Sequence, residues 1–77
     1  MRPYMVRKRI RGDQSMSLRE ELYGETFRGI QILHNGEQIY DNEIEVMLLL
    51  MEGNDYMKEY VADENGRIVR INYEQIT

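Results

Sequence analysis

Residues 44–51 read Ile-Glu-Val-Met-Leu-Leu-Leu-Met, and this octet decides the fold because it contains the longest unbroken apolar run in the chain. As a helix, the octet would start from a cap at Asn42, with Glu45 completing a capping box, and would end at Gly53. As a strand, it would need cover on two faces only. A helix that is apolar on nearly every side needs cover all round, which a chain of 77 residues can hardly supply. The sequence therefore favours the strand.

Three further elements are predicted around the octet. Ser17-Leu18-Arg19-Glu20 is a capping-box pattern followed by Gly24, which predicts a short helix over residues 18–23. Asn35-Gly36 tolerates the two positive φ angles of a type I′ turn, so the flanking residues 27–34 and 37–40 are predicted to form a hairpin. Residues 63–66, Asp-Glu-Asn-Gly, separate two alternating segments and predict a second hairpin over 56–73.

The charges are unevenly divided along the chain. Residues 1–12 carry five cations and no acid, whereas residues 13–77 carry fourteen acids against five cations. The sequence thus predicts a basic arm or edge strand over 1–12, joined to a single small acidic domain over 13–77. Alternation from Tyr4 to Arg11 is compatible with a strand that has an arginine side facing water, and a disordered basic tail is the alternative.

These elements predict a mainly β fold, a five-stranded meander closed as a small barrel, with one helix at about 18–23. The closing segment, residues 60–76, carries a hairpin that runs into a short corner and a last strand. In this it resembles the end of SH3-like small barrels. The resemblance implies a barrel architecture and says nothing of function. The alternative fold is α+β, with a central helix at 43–52 packed on two β-hairpins.

The composition argues against catalysis and against metal binding. The chain has no cysteine and a single histidine, which excludes disulfides, thiolate zinc sites and histidine clusters. His34 lies beside the predicted tight turn opposite Glu37, where a cross-strand contact is a better interpretation than a general base. The longest apolar run is six residues, far short of the ~20 that a membrane-spanning helix needs. We expect a cytoplasmic protein that is not an enzyme and has no cofactor, no metal and no membrane contact.

Three groups of residues are candidates for binding. The basic cluster suits phosphates and other anions, and its members are Arg7, Lys8, Arg9 and Arg11. Tyrosines are common at surfaces that are packed on one side and wet on the other, and the candidates for a protein-binding surface are Tyr40, Tyr56, Tyr60 and Tyr73. If the octet is a strand, its second face offers an oligomer contact through Met47, Leu49 and Met51.

The function that follows is a non-catalytic binding module that acts by docking onto another protein. Small acidic proteins of this kind, including those encoded by phages, often occupy basic clefts, so we expect a phage-type or regulatory inhibitor or adaptor. A basic or nucleic-acid-binding protein is the expected partner. The alternative function is nucleic-acid binding through the basic arm, although a body at −9 would repel a polyanion. A homo-oligomeric subunit is the third interpretation.

Overall fold

The computed structural model describes residues 4–11 and 15–76. Within these ranges the chain forms five strands and two α-helices, with a 3₁₀ turn at Asp41–Glu43 leading into the second helix. In chain order the elements are β1 (Tyr4–Arg11), α1 (Ser15–Phe27), β2 (Gln31–His34), β3 (Glu37–Ile39), α2 (Ile44–Met51), β4 (Asp55–Ala62) and β5 (Ile68–Gln75).

The octet is the helix α2, so the prediction of a strand is wrong. Its buried side chains follow helical rather than alternating spacing, and they are Ile44, Met47, Leu48 and Met51. The strand argument assumed that every apolar side chain of the octet must be covered, whereas α2 buries one side and leaves the other in water. The helix starts after Glu43 without a side-chain cap, so Asn42 does not have the predicted role. Gly53, with φ of 79°, follows the last turn as predicted.

The five strands form one mixed sheet in the order β1-β4-β5-β2-β3. All neighbouring pairs are antiparallel except β2 and β5, which run parallel. The two outermost strands, β1 and β3, do not pair, so the sheet is open and the predicted barrel is not confirmed. Both helices pack on the same face, where Leu22 of α1 and Met47 of α2 join Tyr73 of β5 in a single core. The architecture is therefore α+β in two layers, which is the alternative fold class.

Both predicted hairpins are present. Asn35 and Gly36 have φ of 52° and 84°, as a type I′ turn requires, and His34 lies opposite Glu37. In the second hairpin the Asp63 carboxylate accepts from the backbone N–H groups of Asn65 and Arg67, which fixes the turn between β4 and β5. Turn chemistry is local, so these two elements could be predicted from a few residues each.

The helix α1 is longer than predicted and continues through Gly24. It ends in a Schellman motif, in which Ile30 N–H donates to the Glu25 carbonyl and Gly29 N–H donates to the Thr26 carbonyl, each at 3.0 Å. Gly29 occupies the left-handed position of this motif with φ of 79°. Residues 27–30 therefore belong to the helix end, and the first hairpin begins only at Gln31.

A buried ionic cluster joins α1 to the sheet. Lys58 of β4 is buried on the helix-covered face, where its Nζ donates to Glu25 at 2.9 Å and to Glu21 at 3.1 Å. Tyr73 donates its hydroxyl to the other Glu25 oxygen at 2.8 Å, and the Tyr60 and Tyr73 rings lie 5.0 and 5.2 Å from the ammonium. Burial by itself would lower the pKa of Lys58, but Tyr73 and Glu25 outweigh it and raise that pKa. The amine is therefore held as a cation.

We predict that Lys58→Met destabilises the protein by about 3–5 kcal/mol, because it leaves the Glu25 carboxylate buried without a counter-charge. The double variant Lys58→Met/Glu25→Gln should recover much of this loss, since the new amide at position 25 still accepts from Tyr73 and no charge stays buried. Urea unfolding followed by circular dichroism measures both.

Lys8→Met is the matched control, because Lys8 lies directly opposite Lys58 on β1 but is exposed. Its effect should be below about 0.5 kcal/mol. Equal losses for Lys8→Met and Lys58→Met, or a double variant no more stable than Lys58→Met, would contradict the role given to the cluster.

Candidate protein-binding surface

The outer side of α2 is an exposed apolar surface formed by Val46, Leu49 and Leu50, here called the α2 outer face. These side chains are 58%, 70% and 58% exposed. Their spacing of three and four residues places them side by side on one helix face, opposite the side that fills the core. Three adjacent large aliphatic residues in water are a marker of an interaction surface, unlike single exposed residues scattered over a protein.

Carboxylates surround the α2 outer face. The segment 41–54 carries four acids and no Lys or Arg. All four side chains are exposed, and they are Asp41, Glu43, Glu45 and Glu52. An apolar centre with a charged border is the usual anatomy of a protein–protein interface. The four acids outnumber the neighbouring cation Arg19, which pairs with Glu45, so the border is acidic on balance and favours a partner with basic residues around its own apolar surface.

Two residues of α1 fix the first turn of α2. Arg19 lies 3.1 Å from one Glu45 oxygen, and Tyr23 donates its hydroxyl to the other at 2.7 Å. The hydrogen bond to Glu45 raises the pKa of Tyr23. Phe27, one turn further along α1 on the Tyr23 side, is 92% exposed. Tyr23 and Phe27 thus leave exposed aromatic surface on α1.

Only some of the tyrosines predicted to form a binding surface are exposed. Tyr56 and Tyr73 are buried in the core on the helix-covered face of the sheet, so their placement on a binding surface is wrong. Tyr60 is half-buried against that core, and Tyr40 is exposed just before the 3₁₀ turn. The prediction placed Tyr56 and Tyr73 at the surface because it did not foresee that α1 and α2 both cover their face of the sheet.

The predicted oligomer contact is corrected in the same way. Met47 and Met51 fill the core, and only Leu49 of the three is exposed. The prediction assumed alternation along a strand, which groups Leu49 with the two methionines, whereas a helix separates them. Val46 and Leu50, which the sequence reasoning missed, are the true neighbours of Leu49. Their grouping with Leu49 follows from helical spacing, and it could be read from the sequence only once the octet was known to be a helix.

The basic segment forms the edge strand β1 rather than a tail over Tyr4–Arg11. Arg7 and Arg9 are exposed on the sheet face away from the helices, where Arg7 pairs with Glu59 at 2.9 Å and Arg9 pairs with Asp55. Lys8 is exposed on the other face. The Arg11 side chain and residues 1–3 and 12 lie outside the described part of the chain. The structure thus separates the predicted cations between two faces.

A cleft of about 320 Å³ lies between the end of α1 and the β4–β5 hairpin. Its lining residues are Glu25, Arg28, Ile30, Tyr60, Ile68 and Ile71. Both Glu25 oxygens are already bonded, one to Lys58 and one to Tyr73, so this carboxylate is committed to the ionic cluster. Over residues 4–11 and 15–76, no group of three or more His, Asp or Glu side chains is arranged to hold a metal ion.

Comparisons with protein-family models, with curated proteins and with solved structures give no match to this chain. The resemblance of residues 60–76 to SH3-like barrels therefore stays a prediction. In the described ranges, no helix is long and apolar enough to cross a membrane.

His34 packs inward against Tyr56 rather than pairing only with Glu37 across the hairpin. Its Nε2 lies 3.2 Å from the Tyr56 hydroxyl, and the two ring centroids are 5.7 Å apart. Burial lowers the pKa of His34, and the nearby Glu37 opposes this only in part. The imidazole is therefore neutral in the folded protein at neutral pH and serves as a packing partner for Tyr56.

We predict a pH-dependent contribution of His34 to stability. The unfolded chain binds a proton near the ordinary histidine pKa of about 6.5, whereas the folded chain binds it only at lower pH. This contribution is complete above about pH 6.5 and is lost as the pH falls through the folded-state pKa. The loss in free energy of unfolding between about pH 7.5 and pH 5 should be smaller in His34→Gln than in the wild type. Because the carboxylates are the same in both proteins, identical pH profiles would show that His34 is not buried as described.

Proposed function

We propose that the chain is a non-catalytic binding module that docks onto another protein through the α2 outer face. The partner surface is an apolar groove bordered by Lys and Arg. The observation that carries the proposal is the exposure of Val46, Leu49 and Leu50 at the centre of a segment with four carboxylates and no cation.

The apolar content of the α2 outer face supports docking as a helix in a groove. In that mode an amphipathic helix inserts residues spaced by three and four into a hydrophobic groove of its partner. Removing three large aliphatic side chains from water provides the driving force, at about 1.5–3 kcal/mol for each side chain that becomes fully buried. Because α2 is already folded and held by Arg19 and Tyr23, the helix need not be ordered on binding.

The carboxylates around α2 favour a basic partner protein and disfavour a second copy of this chain. Two copies meeting through this face would bring two acidic borders together, and like charges across an interface oppose association. A groove bordered by basic residues gains from the same carboxylates and is approached faster. An inhibitor or adaptor that occupies a basic cleft of its target fits this surface.

Nucleic-acid binding through Arg7, Lys8, Arg9 and Arg11 has less support. Arg7 and Arg9 already pair with carboxylates of β4, and Lys8 lies on the opposite face of the sheet. A polyanion would have to engage cations that lie on opposite faces of the sheet and approach a chain of net charge −4. It would also find no aromatic side chain beside Arg7 and Arg9 in the described register of β1 and β4, where bases would need one to stack on.

We predict that Leu49→Asp reduces partner binding by tenfold or more, because truncating a central apolar anchor typically costs at least about 1–2 kcal/mol. A photo-crosslinking residue at position 46 identifies the partner from a host lysate, and the purified partner is then titrated against each variant. The cross-linked partner peptide should come from an apolar groove bordered by Lys and Arg.

Val69→Asp is the matched control, since Val69 is also a partly exposed aliphatic residue but lies on β5. It should bind as the wild type does. Sedimentation of the free chain tests whether a second copy of the chain, and not a different partner, occupies the α2 outer face. A dimer that Leu49→Asp dissociates would assign the face to a second copy, and unchanged partner binding by Leu49→Asp would refute docking through α2.

A further inference from the structure

The outer edge of β1 is the longest strand edge left without a neighbour in the described part of the chain. The strand spans eight residues and pairs on one side only, with β4. In an antiparallel strand, every second residue directs its N–H and C=O away from its one neighbour. The opposite edge of the sheet, β3, offers only three residues. A row of backbone donors and acceptors at β1 is thus available to an incoming strand.

Backbone irregularity does not protect this edge. The register between β1 and β4 runs through eight consecutive pairs, from Tyr4 opposite Ala62 to Arg11 opposite Asp55. The one recorded shift, at Val61 and Ala62, lies on the side of β4 that faces β5. Native proteins commonly block an exposed edge with a bulge, a proline, shortness or charge, and over Tyr4–Arg11 the device present is charge.

The charge on β1 is of one sign. Residues 4–11 contain four cations and no acid. Arg7 and Arg9 are 63% and 66% exposed at their side chains, and Lys8 is exposed on the other face. Each recorded pairing, of Arg7 with Glu59 and of Arg9 with Asp55, uses one guanidinium N–H of the five that an arginine carries. Donors therefore remain for carboxylates on a strand beyond β1.

These cations select between incoming strands. A second copy of β1 would set cations against cations across the new pair, which is destabilising. A strand with carboxylates at alternate positions would instead meet Arg7 and Arg9 on one face. The edge of β1 thus disfavours its own copy and favours an acidic strand.

We propose that β1 accepts an extended acidic segment of a partner protein as a sixth strand of the sheet. The segment has Asp or Glu at every second position, directed to the face of Arg7 and Arg9. Backbone hydrogen bonds along β1 hold the segment, and the alternate carboxylates set its register. This edge is separate from the α2 outer face, so the two surfaces are tested independently.

An amide-resolved NMR titration of the full chain tests this. The probe is a short capped peptide in which Glu alternates with Val, and the control peptide has Gln in place of every Glu. The acidic peptide should cause the largest chemical-shift changes at the amide signals of β1. It should also slow amide hydrogen exchange at alternate β1 residues. The Gln peptide should bind about fivefold to tenfold more weakly, since it lacks the exposed ion pairs. Binding of the acidic peptide should also weaken as salt is added.

Variants separate this edge from other surfaces. The double variant Arg7→Gln/Arg9→Gln should bind the acidic peptide as weakly as the wild type binds the Gln peptide. Arg28→Gln, which changes an exposed arginine at the end of α1, should leave the affinity for the acidic peptide unchanged. Leu49→Asp should also leave it unchanged, which distinguishes this proposal from docking through α2. Equal binding of the two peptides, shifts confined to α2 or to the cleft, or absence of binding at millimolar peptide would each overturn the proposal. So would a single-stranded oligonucleotide that displaces the peptide from β1, because it would assign these cations to phosphates.

Discussion

The fold depends on a constraint at α2, an eight-residue helix that is apolar on nearly all sides but can bury only one of them. Its inner side, which includes Met47 and Met51, completes the core between α1 and the sheet. Nothing in the described part of the chain covers the other side, because the sheet is open and both helices lie on one of its faces. The exposed residues of α2 are thus a consequence of the architecture, and the proposed function makes use of them.

The contact between α1 and the sheet has a polar part beside the apolar core. Lys58 takes a core position on β4 and is tolerated there because Glu25 and Tyr73 surround its ammonium with acceptor oxygens and ring faces. An unpaired cation at this depth would be costly, so a placement of α1 that moved Glu25 away from Lys58 would be destabilised. The cluster thus helps to hold α1 on the sheet, and Arg19 and Tyr23 in turn link α1 to the first turn of α2.

The features that could be predicted from sequence are those that depend on few, neighbouring residues. The Asn35-Gly36 turn and the hairpin around Asp63 follow from backbone preferences. The octet could not be assigned, because seven apolar residues in a run of eight fit a period of 2 and a period of 3.6 equally well. The parallel pairing of β2 with β5 joins residues about forty positions apart, and no local signal encodes it. Burial of Tyr56 and Tyr73 follows from that topology, so the tyrosine surface could not be corrected before the topology was known.

Cysteine scanning of the octet tests most directly that α2 has one buried and one exposed side. The natural chain has no cysteine, so each substitution introduces a single reactive thiol. Labelling rates are measured in the folded protein for Val46→Cys, Met47→Cys, Leu48→Cys, Leu49→Cys and Leu50→Cys, each relative to the same variant in denaturant. The helix predicts fast labelling at positions 46, 49 and 50 and protection at 47 and 48. Protection that alternates, with 46, 48 and 50 slow and 47 and 49 fast, would show that the octet is a strand and would remove the proposed binding face.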